Sequence, residues 1–308
     1  MCGITGVYHF TKEPVAESVL KKMNGAITHR GPDGEGIYIN DNVGLGHRRL
    51  AIIDLSPTGH QPMESVDRQL VLTYNGEIYN FPELKTELEG LGYQFRSRSD
   101  SEVLLYAYKE WGIKALDKLN GMFAFAIWDE IQQQLFLARD RYGVKPLYYY
   151  ANPSLFLFGS EIKAILAHPS ISNRICLPAL NEYFTFQNIL TDLTLFEGIK
   201  ILPAGHYLIL SVQNPSLTPV QYWDYDFTGS ITLPKEAATE ELKHLFNQAV
   251  TRQLISDVPI GSYLSGGMDS GSITAVARQH LGRMTTFTGG FDLSSASGLE
   301  LGFDERSK

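Results

Sequence analysis

Only two cysteines, Cys2 and Cys176, occur in 308 residues, which excludes a disulfide-stapled secreted scaffold. Basic residues are in the minority: Lys and Arg number 26 against 34 Asp and Glu, a formal net charge of −8. A general nucleic-acid binder needs a basic face to displace counterions, so that class is set aside. A local anion site made from backbone amides is not excluded. No apolar run reaches the roughly 18–20 residues of a membrane span. The opening Met-Cys-Gly-Ile-Thr-Gly lacks the basic region and long apolar core of a secretory signal. The expectation is a cytoplasmic protein with neither membrane nor nucleic acid as partner. The eight histidines show no HExxH or paired metal-ligand spacing, and no fixed-period repeat or low-complexity tract is visible.

What is present suits a folded chain of about two domains at roughly 150 residues each. Hydrophobic residues make up 44% and charged residues 19%, enough for a sizeable core. Through about residue 210 the reading is mixed. Strands are expected at Ile4 to Phe10, in Val43 to Leu55, and at Leu70 to Tyr74, Met122 to Trp128 and Leu135 to Ala138. Others follow at Leu147 to Tyr150, Leu155 to Phe158 and His206 to Leu210. Each run is short and bounded by Gly, Pro, Asn or Asp, which suggests at least two sheets. Helices are expected over Pro82 to Leu91, with Asn80 as cap, and over Ser99 to Trp111, with Ser99 and Glu102 as a capping box.

Residues 211–238 read as a linker, with Pro215, Pro219 and Pro234 and the aromatics Tyr222, Trp223, Tyr225 and Phe227. Beyond it, Leu242, Leu245, Phe246, Ala249, Val250 and Leu254 recur at helical spacing. Ile260 to Leu264 then reads as a strand, Ser265 to Ser270 as a Gly-rich turn, Gly271 to Leu281 as a helix and Met284 to Phe291 as a strand. That is one β-α-β unit. A parallel sheet needs more than two strands and helices on both faces. Residues 239–308 are therefore expected to be the truncated beginning of an α/β domain.

Cys2 has two readings. One is a small buried residue in a first strand. The other needs Met1 removed, which a small second residue permits. A terminal cysteine carries its own base, because its α-amine titrates near ~7.7–8.0 and can take the thiol proton. Cys176 has no motif around it and reads as structural.

Several segments follow Cys2 in order: His29–Gly34, Gly46–Asp54, Tyr74–Asn80, Ser99-Asp100, Gly121–Ala126 and Arg139–Tyr148. Together they resemble the glutamine amidotransferase domain of glutamine-hydrolysing asparagine synthetases, over roughly residues 2–210. The resemblance implies an α+β N-terminal-nucleophile hydrolase, a four-layer αββα sandwich. It makes Cys2 the nucleophile and L-glutamine the substrate. An amide carbonyl under attack becomes an oxyanion and needs donors aimed at it. The resemblance supplies the Asn75 side chain and the Gly76 N–H, although Asn-Gly by itself most often marks a hairpin turn. Arg49 matches the group that binds the α-carboxylate, a task suited to a guanidinium fork. Asp100 and Glu77 match the α-ammonium site. Leu50, Ala51, Ile52 and Ile53 are expected to line the pocket through backbone contacts. For Arg49 a surface ion pair, and for Asp100 a helix-cap role, are the plainer alternatives.

Ser265-Gly266-Gly267-Met268-Asp269-Ser270 lies between a predicted strand and a predicted helix. Glycines, hydroxyls and helix-start amides suit an anion. The Gly-Lys-Ser/Thr ending of a Walker A loop is missing. With Ser256–Gly261 upstream, the loop resembles the pyrophosphate loop of ATP pyrophosphatases. This implies that Ser265, Gly266, Gly267 and Ser270 hold pyrophosphate, that Leu264 and Gly289 face the adenosine of ATP, and that Asp269 ligates Mg2+. The combination implies an asparagine synthetase in which ammonia attacks an adenylated L-aspartate, and a possible homodimer. Two alternatives stay open: an amidotransferase acting on a different acceptor, such as a sugar acid or antibiotic precursor, and a non-catalytic remnant. The acceptor itself is not legible. The 308 residues alone are expected to support only the glutaminase half.

Overall fold

The computed structural model describes residues 1–213, 217–229 and 232–290. They fall into two compact units that divide between Asp226 and Phe227. The first opens with β1 (Gly3–His9), α1 (Glu17–Gly25), β2 (Gly34–Asn40), β3 (Val43–Arg49), β4 (Met63–Glu64) and β5 (Leu70–Ile78). It continues through α2 (Phe81–Gly90), α3 (Asp100–Trp111), α4 (Ala115–Lys118), β6 (Gly121–Asp129) and β7 (Gln134–Arg139). Then come β8 (Tyr148–Ala151), β9 (Leu155–Gly159), α5 (Ile162–Leu166), α6 (Leu177–Phe186), β10 (Ile199–Ile201), β11 (His206–Ser211) and β12 (Val220–Gln221).

The strands make two six-stranded sheets, ordered β10-β8-β9-β1-β3-β2 and β12-β11-β7-β6-β5-β4. All pairings within them are antiparallel. Side chains alternate between faces along a strand, and here both faces are covered. Ile4 and Tyr8 of β1 and Leu45 of β3 meet Val71 of β5, Ala126 of β6 and Leu137 of β7 between the sheets. The intervening Val7, with Leu155 and Leu157, packs outward on Leu20 and Met23 of α1. On the far side Tyr74, Phe125 and Phe136 pack on Val103 and Leu104 of α3. The layering is αββα, as expected. Hydrogen bonds cross the central layer, among them His47 Nε2 to the Tyr74 carbonyl at 3.0 Å and Thr73 Oγ1 to the Gly46 carbonyl at 3.1 Å.

Several local expectations are corrected. Val43 to Leu55 is a strand only to Arg49, after which Asp54 takes a positive φ of 56°. Asn75-Gly76 is no hairpin turn. It lies inside β5, opposite Ala124 and Phe123 of β6. Asn80 does not cap α2, because its side chain is spent on the Lys118 carbonyl and the Asn120 amide. Ser99 does cap α3, accepting from the Ser101 amide, but Glu102 turns to the amides of Arg96 and Ser97 and closes no box with Ser99. The segment read as a linker carries β12, paired to β11, and the Tyr222 hydroxyl donates to the Arg139 carbonyl at 2.9 Å. It also holds the start of the next helix.

The second unit contains α7 (Lys235–Arg252), β13 (Gly261–Tyr263), α8 (Met268–His280) and β14 (Thr285–Phe287). β13 and β14 are parallel, with Ser262 opposite Thr286, so the β-α-β unit is present. Val250 of α7 packs with Val276 and Ala277 of α8, while Leu242 and Leu245 on the expected buried face of α7 are exposed. Helix α8 begins at Met268, three residues before the expected Gly271. Gly267 takes the extended N-cap conformation, and the Gly271 amide already bonds the Gly267 carbonyl. The expected strand end at Phe291 and the tail from Ser294 lie outside the described residues.

Candidate active site

The central layer is apolar along most of its length and turns polar at one end. Continuing the alternation from Ile4 places Cys2 on the inner face. From Val43 and Leu45 it places His47 and Arg49 there, and from Val71 it places Asn75 and Glu77 there. Antiparallel pairing brings these positions together, since Gly3 lies opposite Arg48 at the finish of β3. Charge interactions at Cys2 include Asp100 and Arg49, so the sheets and α3 converge on one site.

Cys2 sits against the backbone of Leu50. The thiol faces the Leu50 carbonyl at 3.4 Å, and the Leu50 amide donates to Sγ at 3.3 Å. Burial pushes the thiol pKa up, against the Leu50 bond and the positive N-terminus. A buried thiol held protonated needs a base before it can attack.

Asn75 is 1% exposed, and its Nδ2 has no acceptor among the described residues. A buried unpaired amide donor is costly and marks a place where an acceptor belongs. The neighbouring Gly76 amide points along the sheet, away from β6. On β5 the amides of Leu70, Tyr74 and Ile78 go to Ser65 Oγ, Gln61 Oε1 and Asp100 Oδ2, and Gly76 shares their parity. Phe123, opposite Gly76, gives both its backbone groups to Asp140. A Cβ at Gly76 would stand 2.3 Å from the Met122 carbonyl, so only glycine fits.

Arg49 donates to the carbonyls of Ser56 and Asp54. Both partners are neutral, and neither compensates the guanidinium charge. The loop that offers them is fixed by Asp54. Burial opposes the Asp54 charge, but hydrogen bonds from Ser56, the Arg98 amide and Thr58 outweigh it and hold the carboxyl near 2. Asp100 is buried and accepts from the Tyr74 hydroxyl at 2.8 Å and the Ile78 amide at 3.0 Å. Burial raises its pKa, as it raises that of half-buried Glu77. Asp100 in turn raises Glu77, so the two carboxylates are within electrostatic reach of each other. An ammonium between them would favour both charged forms. Leu50, Ala51, Ile52 and Ile53 are half-buried, and the Ala51 amide is tied to Asp33 Oδ2 at 2.9 Å.

Two groups were not assigned a role from sequence. Arg30 Nε donates to the Cys2 carbonyl at 2.8 Å, and its Nη1 to Glu161 at 3.0 Å. Lys145 is 5% exposed with Nζ 3.4 Å from Met1 Sδ. Both stand inside the quoted segments, and the strand order is what brings them to Cys2.

In the second unit the Ser265–Ser270 loop closes on itself. The Ser265 amide donates to Ser270 Oγ at 3.2 Å, the two hydroxyls are 3.1 Å apart, and Gly266 takes φ +79°. Leu264 is fixed on both sides, its amide on the Phe287 carbonyl and its carbonyl on Thr288 Oγ1. Asp269 and Ser270 lie in the first turn of α8, where amides point outward. Gly289 is exposed just past β14. Among the described residues no three His, Cys, Asp or Glu side chains gather as a metal site.

Residues 1–223 match the glutamine amidotransferase domain family, and residues 241–307 match the asparagine synthase family. Asparagine synthetase [glutamine-hydrolyzing] 3 of Bacillus subtilis (strain 168) is 44% identical over 91% of this chain and 46% of its own length. Putative asparagine synthetase [glutamine-hydrolyzing] 2 of Methanocaldococcus jannaschii is 39% identical over 95% of this chain and 60% of its own. The chain thus spans about half the length of these curated relatives. Among solved structures, the glutamine phosphoribosylpyrophosphate amidotransferase of B. subtilis superposes with a TM-score of 0.54 at 18% identity. It covers 94% of this chain and 66% of that one, a likeness of fold.

Proposed function

This chain belongs to the glutamine amidotransferase domain family, and we propose that it hydrolyses glutamine at Cys2 to supply ammonia for an ATP-dependent amide synthesis. The observation that carries the reading is the buried Asn75 Nδ2, unpaired among the described residues and on the same inner face as the Cys2 thiol. With Met1 removed, the α-amine of Cys2 takes the thiol proton. The thiolate attacks the side-chain carbonyl of glutamine, and the oxyanion settles on Asn75 Nδ2 and the Gly76 N–H. The C–N bond breaks as the departing nitrogen takes the proton and leaves as ammonia. Water then hydrolyses the thioester to glutamate and restores the thiol. Arg49 receives the α-carboxylate, while Asp100 and Glu77 receive the α-ammonium. Leu50 to Ile53 wall the pocket.

The second half of the reading follows from the 241–307 match. Ser265, Gly266, Gly267 and Ser270 offer hydroxyls and helix-start amides for the pyrophosphate of ATP. Leu264 and Gly289 border the adenosine. Mg2+ would rest on Asp269 with phosphate oxygens and water. This fits a site with one carboxylate, because that ion is commonly held by one or two carboxylates plus substrate phosphates. L-Aspartate attacks the α-phosphorus, pyrophosphate leaves, and ammonia displaces AMP to give asparagine. We place this chemistry in the cytoplasm; among the described residues no helix is long and apolar enough to cross a membrane.

The test is steady-state release of ammonia and glutamate from glutamine, beside Cys2→Ala, with mass spectrometry of the N-terminus. Activity in the Met1-free protein and its loss in C2A are expected. Equal turnover by C2A would reject Cys2 as the nucleophile.

A further inference from the structure

Lys145 is buried, yet among the described residues no carboxylate comes within ion-pair distance of its Nζ, whose hydrogen-bond partner is the Met1 sulfur at 3.4 Å. A buried ammonium without a close counter-ion is uncommon and is usually placed for a purpose. Its backbone is firmly held. Asp140, fully buried, accepts from the amides of Tyr142, Val144 and Lys145, and Arg139 Nε donates to the Lys145 carbonyl at 2.8 Å. The side chain therefore has a fixed root and projects toward the N-terminus.

The charged and titratable groups around it come from every neighbouring element. The Met1 amine and the Cys2 thiol precede β1, and Arg30 lies after α1. Glu77 is on β5, and Asp140 follows β7. Arg49 from β3 and Asp100 from α3 face Cys2 itself. Burial lowers the Lys145 pKa, with Glu77 the main opposing influence. Burial likewise lowers that of the N-terminal amine, and Arg30 and Lys145 add to the effect.

We propose that Lys145 is a positioning residue for the nucleophile: its buried ammonium, 3.4 Å from the sulfur of the Met1 that precedes Cys2, favours the ionised thiol of Cys2 near neutral pH. Arg30, bonded to the Cys2 carbonyl, is the second cation of this collar. A like charge disfavours the ammonium form of the amine, and an opposite charge favours the thiolate. The second effect moves the acid limb of Cys2 reactivity to lower pH, and the first leaves the amine free to take the thiol proton. The proton still passes from thiol to amine to departing ammonia, and Lys145 exchanges none. The inference rests on the reading of Cys2 as an N-terminal nucleophile.

The experiment uses the Met1-free 308-residue protein in a Cys176→Ser background, so that only Cys2 alkylates. Rates with iodoacetamide are followed from pH 5 to 9 for Lys145, K145R, K145M and K145Q, with kcat/KM for glutamine in parallel. In K145M and K145Q the acid limb is expected to rise by about one pH unit, an alkylation rate about tenfold lower on that limb. K145R keeps the limb in place. Two neutral variants are used so that either one that folds, judged by its melting curve, gives the answer. A limb that stays put in the neutral variants overturns the proposal, as does an equal displacement in K145R. The alkylation profile reads Lys145 even without turnover. A wild-type protein that alkylates on the expected limb but releases no ammonia would sink the glutaminase reading and leave the role of Lys145 standing.

Discussion

Asn75 is the side chain on which the proposed chemistry turns. Its Nδ2 is buried and unpaired among the described residues, and the proposed function gives it an acceptor that arrives with substrate. In Asn75→Ala, kcat for glutamine is expected to fall by about 10²–10³, the usual effect of losing one oxyanion donor. KM should change much less, because the contacts proposed for the α-carboxylate and α-ammonium, through Arg49, Glu77 and Asp100, are untouched. A variant with unchanged kcat and raised KM would assign Asn75 to ground-state binding instead. At this scale the residue types were legible in the sequence, and their settings were not. Arg49 was expected to be a carboxylate fork or a surface ion pair; it is lodged on two carbonyls of its own loop. Arg30 and Lys145 drew no role because nothing local distinguishes them from solvated cations. Only the strand order brings them to Cys2.

At the scale of elements, β5 repays most scrutiny. Asn-Gly is a strong hairpin signal, yet here cross-strand pairing with β6 runs unbroken from Leu70 to Ile78. Tertiary context overrides the local preference, because Gly76 answers to the Met122 carbonyl and not to a turn. Strands β2 and β10 were missed for a related reason. Gly34–Asn40 has two glycines and little burial, and Ile199–Ile201 is three residues long. Helix α1 was missed because only Leu20, Met23 and Asn24 face inward. β5 is fastened to β3 by His47, fully buried and held down to about 3 by desolvation. The unfolded chain takes a proton on this residue below about 6.5, and the folded chain does not until about 3. His47 therefore stabilises the fold fully above pH 6.5 and loses that contribution as pH falls toward 3, at up to about 1.4 kcal/mol per pH unit. His168 is lowered by burial too, so the difference between wild type and His47→Gln isolates this group. Urea midpoints at pH 7.5, 6 and 5 should fall more steeply in wild type than in H47Q. Parallel lines for the two would contradict a buried neutral imidazole.

For the whole molecule, the two units differ in how much each can bury. Met1–Asp226 holds three separate apolar layers, whereas the core found in the second unit is Val250, Val276 and Ala277 with a few half-buried neighbours. A chain shortened to residues 1–226 is therefore expected to melt in one cooperative transition and to retain glutamine hydrolysis within about threefold, a loss below roughly 0.7 kcal/mol in barrier. Calorimetry with the ammonia assay checks both. A shortened chain that stays folded but inactive would show that the site needs residues beyond Asp226. The division falls between Asp226 and Phe227, since β12 and Tyr222 return to the first unit through backbone and hydroxyl bonds that proline content cannot reveal. The alternation across the central layer carries one more consequence, best put as a reading frame of two. One residue inserted in β5 between Val71 and Thr73 would shift every later side chain by one count. Tyr74 and Gly76 would then face the gap, and Asn75 and Glu77 would turn toward the helices, with the ladder still able to pair. Two inserted residues would restore the frame. A single step of parity in this strand thus empties the inner face of Asn75 and Glu77 and sets those polar groups against the apolar layer of Val103 and Leu104, with the composition of the chain all but unchanged.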